Sequence, residues 1–168
     1  VLHWGANSGV NVLDSHLTGP DNTTGRFHIY YKSSLAGGAA WNDPDNFYYH
    51  TNAYQCNSCS TTQASDNVSL DRDDMDGAPG TETITVTKVR SGTYRYSVHD
   101  WSNKTNSSST KLAQSGTTVN VYYNNSQTTY NVPNSAGNLW EVFTFDGSTG
   151  VLTASDNMTA ESNTNNVQ

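Results

Sequence analysis

Hydrophobic and polar residues alternate one by one in a series of short stretches along this chain, and Gly, Asn, Pro or Ser separate them. Period two places every second side chain on one face, the signature of strands with one side against a core. The pattern gives strands at residues 2–4, 13–17, 26–31, 67–71, 82–89, 94–101, 118–123, 128–132, 139–145 and 151–153. Within 94–101, Tyr94, Tyr96 and Val98 face one way, and Arg95, Ser97 and His99 the other. The connections are too short for βαβ crossovers, which need a dozen or more residues. The stretch from Ser34 to Ala40 is short and broken by Gly37-Gly38, so no amphipathic helix emerges. The expectation is an all-β, antiparallel β-sandwich, Ig-like or jelly-roll-like, of roughly seven to nine strands. One domain spans residues 1–153 and carries a long inserted loop at 32–66. Residues 154–168 read as a polar C-terminal tail or linker.

The balance of residue types agrees. Only 33% of the 168 residues are apolar and 14% charged, while ten Tyr and four Trp suit pleated surfaces. The net charge is −7, with eight Lys plus Arg, so a nucleic-acid-binding surface is excluded. No apolar run approaches the roughly 20 residues that span a bilayer, so no membrane insertion is expected. No charged n-region and apolar h-region precede the first strand, so the sequence reads as a mature form or a module of a longer chain.

Several clusters carry possible chemistry. Asp71, Asp73, Asp74 and Asp76 lie within six residues, followed by Glu82. Like charges so close need solvent or a cation, and Ca²⁺ takes six to eight oxygen ligands. Counted from Asp71, Glu82 stands at the twelfth position of an EF-hand loop. Met75 and Asp76 occupy positions that need a ligand and a glycine, which excludes that motif. Asp14 and His16 share one strand face and form a second metal candidate, with an Asp–His hydrogen bond as the alternative. His28 and His99 read as sheet residues with hydrogen-bonded rings. Cys56 and Cys59 supply only two ligands in a non-helical stretch, which favours a local disulfide. Trp41, Phe47, Tyr48, Tyr49 and Tyr54 crowd the insertion among Asn and Asp, a composition suited to stacking on sugars or to a satellite core. Glycosylation sequons begin at Asn22, Asn67, Asn103, Asn106, Asn124 and Asn157. Ser15 faces away from Asp14 and His16, so these three form no hydrolytic triad, and no nucleophile or phosphate-loop motif is present.

The ordered segments Trp4-Gly5, Leu13-Asp-Ser-His-Leu-Thr-Gly-Pro20, Arg26-Phe-His-Ile-Tyr-Tyr31, Leu70-Asp-Arg-Asp-Asp74, Glu82-Thr-Ile-Thr-Val86, Gly92 to His99 and Trp140-Glu-Val-Phe143 are similar to a family of bacterial secreted and cell-surface β-sandwich modules related to YfaP-like proteins. The resemblance implies that Asp14, His16, Asp71, Asp73 and Glu82 lie near one end of the sandwich. Arg72 stands where that pattern has an apolar residue. The expected function is a non-catalytic extracellular, cell-surface structural or adhesive module, calcium-stabilised and able to serve as a fibre subunit. Its partners would be other copies or neighbouring modules. The alternative is a carbohydrate-binding module that recognises glycans through the aromatic insertion.

Overall fold

The computed structural model describes residues 1–6, 9–21, 24–31 and 68–167. The insertion, with its aromatic cluster and both cysteines, lies outside them, as do Asn22 and Asn67. The described strands are β1 (Leu2–Trp4), β2 (Leu13–Pro20), β3 (Arg26–Ile29), β4 (Val68–Arg72) and β5 (Gly80–Val86). They continue with β6 (Thr93–Asp100), β7 (Thr118–Tyr123), β8 (Ser126–Asn131), β9 (Leu139–Asp146) and β10 (Val151–Thr159). They form two five-stranded sheets, in the orders β4-β5-β1-β7-β8 and β10-β9-β6-β2-β3, and every pairing is antiparallel. The chain is thus an all-β sandwich, with ten strands among the described residues where seven to nine were expected. No helix among the described residues is long and apolar enough to cross a membrane.

The core lies between the sheets. Leu2, Trp4 and Val119 from the first pack with Leu13, Leu17, Tyr94, Tyr96, Val98, Trp140, Val142, Phe143 and Phe145 from the second. The run Trp140-Glu-Val-Phe-Thr-Phe145 explains itself through a bulge. Tyr96 pairs with Phe143 but Ser97 pairs with Glu141, which leaves Val142 as the extra residue of β9. The bulge resets the phase, so Val142 and Phe143, although adjacent, are both buried. The Phe143 ring then stacks on Tyr96 from its neighbouring strand and on Tyr130 from the opposite sheet, both with centroids 5.3 Å apart.

The segment expected to be a loose tail is strand through Thr159. Its backbone pairs with β9 from Val151 to Thr159, across a shift between Ala154 and Asn157. Edge strands need backbone pairing more than apolar side chains, so the polar composition hid it. Beyond it, a short 3₁₀ turn (Thr164–Asn166) leads to the buried Val167.

Trp4 and Gly80 are direct cross-strand partners. A Cβ on Gly80 would lie 1.9 Å from Trp4 Cζ2, so the indole occupies the space that any other residue would fill. Gly80→Ala is expected to destabilise the fold by about 2–3 kcal/mol through overpacking, read from urea unfolding at unchanged slope.

Candidate metal centre

The seam where β2 meets β5 carries the most unusual chemistry of the molecule. Beside residues 13–16, β2 has no β3 partner, because that pairing covers only Leu17 to Pro20. The free backbone edge is met from the other sheet: Ser15 N–H donates to Glu82 Oε2 at 2.6 Å. Glu82 reaches it from β5, directly opposite Leu2.

The third member arrives through a second bulge. Leu70 pairs with Ile84, but Arg72 pairs with Thr83, so Asp71 is the extra residue of β4. Without that insertion Arg72 would stand opposite Glu82; with it, the position falls to Asp73. Carboxylate oxygens of Asp14, Asp73 and Glu82 lie within 4.8 Å of one another. All three residues are buried, with relative exposures of 2%, 5% and 1%. Among the described residues, Asp73 Oδ1 and Glu82 Oε1 have no hydrogen-bond partner. The ion pair Arg72–Asp74 belongs to the neighbouring turn.

The other acidic-turn residues do different work. Asp74 organises the turn: it accepts from Arg72 Nη2 and Thr81 N–H, each at 3.0 Å, and from Asp76 N–H at 3.2 Å. Asp71 accepts from the Thr85 hydroxyl on the sheet surface. Asp76 is exposed. The sequence therefore pointed to the right segment, but a single side chain of the turn, Asp73, enters the buried cluster.

Asp14 also faces a histidine set. It pairs directly with His99 across β2 and β6, and His16 lies two residues along the same face. One ligand atom from each of Asp14, His16 and His99 falls within 4.8 Å of the others. His16 and His99 are 1% and 0% exposed. Both rings are hydrogen-bonded on one side, and so is that of His28, which with His99 was expected to be a sheet residue with a hydrogen-bonded ring. His16 Nδ1 lies 2.9 Å from His28 Nε2, and His99 Nε2 lies 2.8 Å from the Glu161 carbonyl. His16 Nε2 and His99 Nδ1 are left without partners. The Tyr30 ring stacks on His28 at 4.3 Å and on His16 at 5.0 Å. Its hydroxyl donates to Asn165 Oδ1, so the C-terminal segment helps to cover the site. Sequence reasoning missed His99 as a site residue because β2 and β6 are far apart in the chain.

Burial sets the charge states. It raises Glu82 well above the usual carboxylate range, with Asp73 and Asp14 adding to the effect. It raises Asp73 as well. The imidazoles shift the other way: burial lowers His16 strongly, His28 to about 4, and His99. At neutral pH the histidines are uncharged, the form that ligates metals. Buried carboxylates that are neither paired nor protonated are costly, and a divalent cation relieves that cost. The oxygen set fits such an ion.

Of the remaining sequence-level candidates, Trp41, Phe47, Tyr48, Tyr49, Tyr54, Cys56 and Cys59 lie outside the described residues. Asn106 and Asn124 present exposed side chains. The Asn103 amide nitrogen donates to Asp100 Oδ2 and the Gly9 carbonyl, and the Asn157 amide nitrogen to Glu141 Oε2; a glycan would replace those bonds.

No family model matches the chain, and no curated protein or solved structure matches it either.

Replacing Glu82 by Gln keeps an oxygen for the Ser15 amide and removes a buried charge. In cation-free buffer at neutral pH, Glu82→Gln is expected to stabilise the fold by about 1–3 kcal/mol. The folded state holds the Glu82 proton more tightly than the unfolded chain, so stability from this group falls as pH rises past the ordinary glutamate range. The advantage of the variant should accordingly vanish as pH is lowered to that range, where both states are protonated. Chemical denaturation at several pH values measures it.

Proposed function

We propose that this chain is a non-catalytic extracellular structural module that is stiffened by calcium and able to serve as a fibre subunit. The observation that carries this reading is the buried carboxylate set of Asp14, Asp73 and Glu82 at the seam of β2 and β5. Among the described residues the two sheets end in β4, β8, β10 and β3, and such edges can pair with neighbouring copies.

The acidic surface, the low charge content and the polar turns support an extracellular setting. Burial of every member of the carboxylate and histidine sets supports a structural role over a catalytic one, since catalytic metals keep an open position. Asp14, Asp73 and Glu82 would hold Ca²⁺ and tie β2 to β5.

Electron microscopy of the purified protein with Ca²⁺ should show fibres or chains of particles. Dispersed wild-type particles would contradict the fibre-subunit reading. Separately, excess Ca²⁺ should stabilise the wild-type monomer by about 2–3 kcal/mol, in line with binding about a hundredfold above its Kd. Scanning calorimetry should find that gain absent in Glu82→Gln.

A further inference from the structure

The histidine face of Asp14 has donor chemistry that calcium does not use. The Glu161 carbonyl can only accept, so the 2.8 Å contact fixes the His99 proton on Nε2. The His99 Nδ1 lone pair is therefore free, buried and unpartnered. At His16, the arrangement that orphans no buried N–H has Nδ1–H donating to His28 Nε2. The unpartnered Nε2 then also carries a lone pair. Metal-ligating histidines characteristically donate their second ring N–H in this way, to a carbonyl or another fixed acceptor, which sets tautomer and ring direction. The two rings stand nearly perpendicular, at 78° with centroids 5.8 Å apart. Ligands of one tetrahedral zinc ion, each at about 2.1 Å, sit about 3.4 Å apart. One ring nitrogen of each histidine and an Asp14 oxygen lie within 4.8 Å of one another, so a contraction of at most about 1.4 Å closes the set.

We propose that His16 Nε2, His99 Nδ1 and the Asp14 carboxylate form a second, structural site for a borderline-soft divalent ion of the zinc class, with Asp14 shared between it and the oxygen-only set of Asp73 and Glu82. Two neutral imidazoles and one carboxylate suit zinc and its first-row neighbours, whereas calcium takes oxygen alone. The inference uses Asp14 but does not rest on the calcium reading. It makes the seam a two-ion strap: one ion ties β2 to β5, the other ties β2 to β6.

Co²⁺ serves as the spectroscopic probe. Titration of metal-free protein should give one equivalent of visible absorption of the intensity typical of low-coordinate Co²⁺, displaced by Zn²⁺. His99→Gln should weaken Zn²⁺ binding by at least about 100-fold. Glu82→Gln should keep the Co²⁺ band even where it loses the Ca²⁺ response, which separates the two readings. A Cys56→Ser, Cys59→Ser double variant should keep the band as well, excluding the cysteines as its source. Should His99→Gln fail to fold, ring ¹⁵N spectra of the wild type decide: Zn²⁺ should shift His16 Nε2 and His99 Nδ1 selectively. A band that survives in folded His99→Gln, or ring nitrogens that Zn²⁺ leaves unmoved, would overturn the proposal.

Discussion

The structure turns on a carboxylate placed where two sheets meet. Glu82 is buried from water on β5, yet it satisfies the one stretch of β2 that β3 leaves unpaired, through the Ser15 amide. That bond alone does not offset the burial of its charge, and Asp73 and Asp14 beside it make the problem worse. Everything polar nearby follows from this: the bulge at Asp71, the Asp74-organised turn and the histidine face on the far side of Asp14. A purely apolar seam would be simpler and no less stable. The chain has instead concentrated ligating groups there, an arrangement that the proposed cation would make favourable.

The fold was largely legible because period two survives wherever one face is buried. Tyr94, Tyr96 and Val98 line the core as their alternation required. What escaped were departures from that period. Val142 and Phe143 are buried side by side, and Asp73 rather than Arg72 faces Glu82, because single-residue bulges reset the phase, and a bulge leaves no local mark in residue type. β10 escaped for another reason: Thr153 to Thr159 is held by backbone pairing at an edge, where side chains carry little signal. At the site, Asp14, His16, Asp73 and Glu82 were readable as candidates from charge clustering and strand spacing. His99 was not, because its pairing with Asp14 joins strands far apart in sequence.

The most direct measurement is a crystal structure of the protein grown with Ca²⁺ and Zn²⁺, with anomalous difference maps recorded on both sides of the zinc edge. The account predicts two peaks flanking Asp14, one among Asp73 and Glu82 oxygens and one, zinc-specific, between His16 Nε2 and His99 Nδ1. Maps with no peak at either place, and Asp73 and Glu82 drawn together around a shared proton, would contradict it.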